Sequence, residues 1–62
     1  MVRFILTIEY KVRYKGEDAA EIRKDEIYMA HDLNRCTTMI GVLDRSGEYY
    51  AYPKSLFEKI ED

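Results

Sequence analysis

Cysteine, proline, glycine and tryptophan are scarce in this sequence. Its 62 residues include one cysteine (Cys36), one proline, three glycines and no tryptophan. A single cysteine excludes an internal disulfide, the usual staple of small secreted domains. Cys36 and His31 together also fall short of the roughly four ligands of a zinc site, so we expect no metal and no other cofactor. A chain this short must then be stabilised by packing or by self-association.

Long apolar runs and internal repeats are also missing. No stretch approaches the roughly 20 residues needed to cross a bilayer, and the first residues lack the pattern of a secretory signal peptide. The chain has no glycine-rich phosphate-binding loop. With one proline and no low-complexity tract, nothing indicates a linker, so we expect a single domain, residues 1–62, located in the cytoplasm.

Charge is nearly balanced overall but unevenly distributed. The net charge is −2. Residues 1–15 carry four basic residues against one acidic residue, whereas residues 16–32 carry six acidic residues against two basic ones. A protein dedicated to duplex nucleic acid would usually be more basic overall. The distribution therefore favours a soluble surface of mixed sign.

Apolar and polar residues alternate from residue 2 to residue 15, with Ile5 as the single exception. Period two predicts a β-strand with one buried face. Thirteen residues at about 3.3 Å each would span roughly 43 Å, which is too long for one strand of so small a domain. We therefore expect a bend near Glu9–Tyr10, with residues 1–9 adding an extra strand along the domain or along a second subunit. The residues on the apolar face are Val2, Phe4, Leu6, Ile8, Tyr10, Val12 and Tyr14.

The next segment, residues 17–33, allows two interpretations. Its composition is compatible with a helix, because it contains no glycine or proline and includes Ala, Glu, Lys, Ile, Met and Leu. Its apolar residues, however, do not sustain a helical stripe. The favoured interpretation is a polar loop over residues 16–25, followed by a strand "EIYMA" in which Ile27 and Met29 point inward.

The stretch "TMIGVLDRSGEYYAYP" predicts a β-hairpin. Asp44 at the start of the connection and Gly47 at its end are typical of a type I turn closed by a residue with positive φ. Gly41 inside the first strand indicates a bulge or the close approach of another backbone. In the return strand, alternation places Tyr49 on one face and both Tyr50 and Tyr52 on the other.

Three stretches resemble domains of the SH3-like barrel family. "YKVRYKGEDA" is similar to the opening strand and RT-type loop, and "AEIRKDEIYMA" resembles the diverging turn and second strand, with Asp25 where glycine is usual. "MIGVLDRSGEYYAYPKSLFEKIE" resembles the hairpin, the proline, the 3₁₀ turn and the last strand. The resemblance covers roughly residues 10–61 and is nearest to short bacterial and phage proteins. It implies an all-β, small SH3-like barrel of four to five strands, with a 3₁₀ turn after Pro53 and residues 1–9 as the extra strand. The alternative is an α+β fold with a helix within residues 17–33.

The resemblance implies binding rather than catalysis. The tryptophan of peptide-binding SH3 domains is absent, and Leu56 stands where a tyrosine is usual, so two aromatic walls that grip polyproline are missing. We expect a non-enzymatic protein-interaction module, a small bacterial or phage accessory protein, whose protein partner contacts an aromatic surface. A homo-oligomer through the N-terminal strand is a further expectation, and no membrane partner is expected. The predicted partner-binding residues are Tyr10, Tyr14, Tyr49 and Pro53.

Two other chemistries compete with this interpretation. Lys11, Arg13 and Lys15, beside exposed tyrosines, could bind single-stranded nucleic acid by charge and stacking. His31 and Cys36 could form a thiol–imidazole pair, but a nucleophile needs its base in contact and oriented by a third group. We expect a surface histidine and an incidental cysteine, and no catalytic residue.

The extra-strand hypothesis is tested by amide hydrogen exchange. If residues 1–9 pair with the domain or with a second subunit, the amides from Phe4 to Ile8 will be protected, because paired amides exchange only on opening. Rapid exchange throughout Phe4 to Ile8 would contradict the hypothesis.

Overall fold

The fold is all-β. A computed structural model of the chain describes residues 8–34 and 36–61. Within them, a short 3₁₀ helix, Lys54–Leu56, joins the last two strands, and there is no α-helix, so the helical alternative for residues 17–33 is wrong. Of the predicted extra strand, residues 1–7 lie outside the described residues. Ile8 lies outside any strand with 82% of its surface exposed, so its predicted place on a buried face is wrong, and Glu9 is the first residue of the first strand. The strands are β1 (Glu9–Tyr14), β2 (Ile27–Asp32), β3 (Met39–Leu43), β4 (Tyr49–Pro53) and β5 (Phe57–Lys59).

The five strands form one antiparallel sheet in the order β4-β3-β2-β1-β5. This sheet is open, with β4 and β5 at its edges, and differs in this respect from the closed barrel predicted from the sequence. The two edge strands are nevertheless in contact through their side chains. The ring centroids of Tyr52 on β4 and Phe57 on β5 lie 5.9 Å apart in an edge-on arrangement. One face of the sheet is therefore concave and encloses the core.

The core lies on this inner face and follows the alternation of the strands. The prediction that Val12 and Tyr14 are buried is confirmed. In the hairpin, Tyr50 and Tyr52 oppose the buried residues Val42 and Ile40, and Tyr49 lies on the other face, as predicted. The fully or largely buried apolar residues are Val12, Tyr14, Ile22, Tyr28, Ala30, Ile40, Val42 and Phe57.

The predicted orientation of β2 is wrong. Tyr28 and Ala30 point into the core, with 7% and 0% of their surface exposed, whereas Ile27 is 44% exposed and Met29 lies on the outer face. Both alternate sets of β2 are apolar, so alternation cannot choose between them. Pairing decides, since Tyr28 lies opposite Val12 and Ala30 opposite Val42, and directly opposed residues share a face.

The loop between β1 and β2 is held by one buried side chain and by a hydrogen bond within the loop. Ile22 reaches from the predicted polar loop into the core, and the Lys24 amide donates to the Asp18 carboxylate at 2.7 Å. Asp25 has φ of 67°, a left-handed conformation that Asp tolerates better than most residues. Asp25 therefore adopts a backbone conformation that glycine reaches most readily.

The hairpin turn was predicted correctly. Gly47 has φ of 87°, and its amide donates to the Asp44 carbonyl at 3.1 Å. Asp44 is buried, and its carboxylate accepts hydrogen bonds from the Ser46 amide at 2.9 Å, from the Ser46 hydroxyl, and from the Tyr52 hydroxyl at 2.5 Å. Asp44 thus joins the turn to the inner face of β4.

These hydrogen bonds make the charge of Asp44 a stabilising feature. Burial alone would raise the pKa of Asp44, but the hydrogen bonds from Ser46 and Tyr52 outweigh it and hold the pKa below its ordinary value. A lowered folded-state pKa stabilises the fold above the unfolded pKa of about 3.9, and this stabilisation is lost as the pH falls through the folded value.

Asp44→Asn removes this dependence on pH. We expect the variant to lose about 1–3 kcal/mol of unfolding free energy at neutral pH, because an amide cannot accept all three donors. Between about pH 5 and pH 2 the wild type should lose more stability than the variant, so the two curves converge. Urea denaturation across this range measures both effects. Glu17→Gln, at an exposed position of the loop between β1 and β2, is the control. Equal acid sensitivity of the wild type and Asp44→Asn would contradict the assignment.

Candidate functional site

The structure divides the four predicted partner-binding residues among three places. Tyr14 lies in the core with 6% of its surface exposed; its hydroxyl donates to the Glu17 carbonyl at 2.7 Å and its ring packs 5.3 Å from that of Phe57. Tyr10 lies on the inner face, whereas Tyr49 and Pro53 lie on the outer face of β4. Two separate surfaces result: the outer face of the sheet, and a cavity on the inner face.

The outer face of β2, β3 and β4 carries no charged side chain. An antiparallel sheet with one solvated face normally alternates apolar residues inside with polar residues outside. Here only His31 among the outward positions is polar, and Ile27 and Tyr49 are 44% and 42% exposed. Contiguous exposed apolar surface of this kind marks interaction sites. We call this surface the outer apolar face; its residues are Ile27, Met29, His31, Met39, Gly41, Leu43, Tyr49, Ala51 and Pro53.

Tyr49 is held across this face by two contacts. Its ring packs on the imidazole of His31, with centroids 4.9 Å apart. Its hydroxyl donates to the carboxylate of Glu9 on β1, although β2 and β3 lie between the two strands. A side chain fixed at both its ring and its hydroxyl loses little further entropy on binding, which favours it as an anchor for a partner.

Gly41 makes room for this arrangement. The pairing of β3 keeps one register with β2 and with β4, so the predicted bulge is absent. The close neighbour is a side chain rather than a backbone, because a Cβ at Gly41 would lie 2.7 Å from Nε2 and 2.8 Å from Cε1 of His31. Glycine at this position therefore lets the imidazole approach the backbone of β3 closely while it contacts the ring of Tyr49.

The three predicted nucleic-acid-binding residues follow β1. Lys11 lies opposite Met29, in the cross-strand row that continues through Leu43 to Tyr49. Arg13 forms a partly exposed ion pair with Glu58 of β5 at 3.3 Å, which contributes little to stability. Lys15 is exposed just beyond the strand, and its amide donates to the Leu56 carbonyl at 2.7 Å. Basic residues thus border the outer apolar face rather than surround Tyr49.

His31 and Cys36 have different partners. The His31 ring contacts Tyr49, and its Nδ1 lies 3.1 Å from the Asp32 carbonyl. The Cys36 sulfur lies 3.8 Å from the Thr38 hydroxyl, and hydrogen bonding to the backbone and hydroxyl of Thr38 lowers the pKa of the thiol. Residues 8–34 and 36–61 contain no cluster of three His, Cys, Asp or Glu residues that could hold a metal ion.

The second surface is a cavity of about 130 Å³ on the inner face. Its base is apolar, and its rim includes Tyr10, whose hydroxyl donates to the Asp32 carboxylate at 2.6 Å. Burial and this hydrogen bond raise the pKa of Tyr10 to about 12, so the phenol keeps its proton at neutral pH. The lining residues are Tyr10, Val12, Asp32, Ile40, Lys54, Phe57 and Lys59.

The sequence predicted Tyr49 and Tyr10 as partner-binding residues but did not predict which residues surround them. The outer apolar face was detectable in part, because β3 and β4 contain no charged residue at any position. Lys54, Lys59 and Asp32 come from different elements, and no local pattern brings them together. Only the sheet order places the start of β1, the end of β2 and the end of β5 around one cavity.

Comparison of this chain with known proteins finds no relative. No protein-family model, no curated protein and no solved structure gives a significant match to this chain. Across the part of the chain that is described, no helix has the length and apolar character needed to span a membrane. The function must therefore be argued from the two surfaces themselves.

Gly41→Ala tests the packing of the outer apolar face. The new methyl group must displace the His31 ring, which Tyr49 holds from above, and overpacking of this kind costs about 1–3 kcal/mol. In a His31→Ala background the obstacle is gone, so the same substitution should cost little. Urea denaturation of the two single variants and the double variant gives the coupling energy. An equal cost of Gly41→Ala in both backgrounds would show that His31 is not the obstacle.

Proposed function

We propose that this chain is a protein-interaction module without catalytic activity, and that it binds its partner through the outer apolar face. The observation that carries the proposal is the absence of charge from all nine outward positions of three adjacent strands. Such a face is costly to leave in water. Full burial of a large apolar side chain contributes about 1.5–3 kcal/mol, and Ile27 and Tyr49, which are 44% and 42% exposed, forgo part of that energy. A partner that covers it gains this energy on binding.

Tyr49 is the proposed anchor of the interface. Tyrosine is enriched among the residues that dominate binding energy, and such residues lie near the centre of an apolar patch. Tyr49 is exposed, fixed by His31 and Glu9, and flanked by Leu43 on the next strand. Pro53, at the end of the same strand, extends the surface.

The border of the face defines the chemistry of the partner. Lys11 is exposed at this border, and none of the described carboxylates forms an ion pair with it, whereas Arg13 is paired with Glu58. We therefore propose a protein partner that presents an apolar surface with a carboxylate on the side that meets Lys11. Charge complementarity of this kind orients a partner and speeds association more than it adds affinity.

The fold itself is proposed to be of the SH3-like type. The support is the strand order β4-β3-β2-β1-β5, the long loop between β1 and β2, and the 3₁₀ helix between β4 and β5. With the sequence resemblance, this favours a small cytoplasmic accessory protein of a bacterial or phage genome. Nucleic-acid binding is less well supported, because the Tyr49 hydroxyl meets β1 at the carboxylate of Glu9 and Arg13 is already paired with Glu58.

Two adjacent tyrosines provide the decisive experiment. Tyr49 and Tyr50 are 42% and 51% exposed, yet they lie on opposite faces of the same strand. Tagged wild type, Tyr49→Ser, Ile27→Lys and the control Tyr50→Ser are used for capture from nuclease-treated lysate. The captured protein is then purified, and its affinity for each variant is measured at low and moderate salt. Folding of every variant is checked by amide NMR.

We expect Tyr49→Ser and Ile27→Lys to weaken binding at least thirtyfold, about 2 kcal/mol, and Tyr50→Ser to leave it within threefold. Binding lost with Tyr50→Ser and retained with Tyr49→Ser would move the interface to the inner face and overturn the proposal. Nucleic acid as the sole captured species, with an affinity that falls steeply with salt, would favour the nucleic-acid alternative. A wild-type dimer that Ile27→Lys converts to monomer would identify the occupant as a second copy and overturn the partner proposed here.

A further inference from the structure

The inner-face cavity lies on the opposite side of the sheet from the outer apolar face. Its base is built from Val12, Ile40 and Phe57, all of which belong to the core. Its volume of about 130 Å³ is well above the roughly 10–15 Å³ that one water molecule needs, so it admits a small molecule. Because the base is part of the core, its shape is set by the fold rather than by mobile loops.

The rim of the cavity carries more positive than negative charge. Lys54, from the 3₁₀ helix, and Lys59, from β5, both line it, against the single carboxylate of Asp32. Neither lysine forms an ion pair with a described carboxylate. Lys59 instead lies over the ring of Tyr10, with its Nζ 4.6 Å from the ring centroid.

The one negative group of the rim is already engaged. The Tyr10 hydroxyl donates to Asp32 at 2.6 Å, and this bond fixes both side chains at one side of the cavity. The Tyr10 ring in turn supports the Lys59 ammonium by a cation–π contact. The chain Asp32–Tyr10–Lys59 therefore positions an ammonium at the rim, and Lys54 supplies a second.

We propose that this cavity is a binding site for a small organic carboxylate with a short hydrocarbon chain. The hydrocarbon would contact Val12, Ile40 and Phe57, and the carboxylate would accept hydrogen bonds from the ammonium groups of Lys54 and Lys59. Apolar walls with a few convergent polar groups are the general composition of small-molecule sites. A hydrogen bond between two charged groups is about twice as strong as a neutral one, so the lysines favour an anion over a neutral analogue.

The probes are isovalerate and two compounds that each lack one of its features. Isovaleramide keeps the hydrocarbon and loses the charge, and acetate keeps the charge and loses most of the hydrocarbon. Each is titrated into the full chain and followed by amide NMR. N-acetyl-leucine, which mimics the end of a polypeptide, distinguishes a protein C-terminus from a free acid as the natural source.

We expect saturable shifts centred on Tyr10, Asp32 and Lys59 with isovalerate, and affinity at least fivefold lower for both isovaleramide and acetate. Lys54→Gln and Lys59→Gln should each weaken isovalerate binding about tenfold, the value of one charge-assisted hydrogen bond. Lys24→Gln, an exposed lysine in the loop before β2, is the matched control and should leave affinity unchanged.

Three results would overturn the proposal. They are the absence of a saturable shift, equal binding of isovaleramide and isovalerate, and an equal loss of affinity in Lys24→Gln and Lys59→Gln. Because the shifts are mapped on the inner face, the result is independent of whether a protein binds the outer apolar face.

Discussion

The register between β2 and its two neighbours is the constraint on which the rest of this structure depends. A slip of one residue in an antiparallel pair moves every side chain to the other face of the sheet. Val12 opposite Tyr28, and Ala30 opposite Val42, bury one apolar set of β2 in the core. The same pairing leaves Ile27 and Met29 facing outward. Both the core and the outer apolar face are therefore consequences of one register.

The sizes of the side chains explain why this register is preferred over one that would bury Ile27 and Met29. Tyr28 fills the inner face with an aromatic ring, and its hydroxyl finds partners at the Arg23 amide, 2.8 Å away, and the Glu26 carboxylate. Ala30, next along the strand, is small enough to lie between Val42 and the rest of the core with no exposed surface. A large and a small residue on the same face interdigitate with the aliphatic residues opposite them. As a consequence, the apolar residues Ile27 and Met29 remain on the outer face of the sheet.

The outer apolar face is organised rather than simply exposed. Gly41 opens a space for the His31 ring, His31 supports Tyr49, and Glu9 accepts the hydrogen bond of the Tyr49 hydroxyl. These four residues lie on four different strands, so the arrangement exists only when the strands are paired in the sheet. The inner face uses the same kind of tyrosine–carboxylate hydrogen bond. Tyr52 donates to Asp44 at the hairpin turn, and Tyr10 donates to Asp32 at the rim of the cavity. In each case a tyrosine hydroxyl satisfies a carboxylate, and its ring contributes to packing.

Local patterns in the sequence determined the strand content, the β-hairpin with its Gly47 turn, the burial of Val12 and Tyr14, and the opposite orientations of Tyr49 and Tyr50. These features depend on residues close together in the chain, for which side-chain alternation and turn chemistry are sufficient. The orientation of β2, the role of Gly41 and the openness of the sheet were decided by tertiary structure. Alternation cannot predict the buried face where both faces of a strand carry apolar residues, as in β2. A glycine in the sequence likewise does not indicate which neighbouring group will pack against it. The cavity rim likewise joins residues from positions 10, 32, 54 and 59, which only strand order brings together.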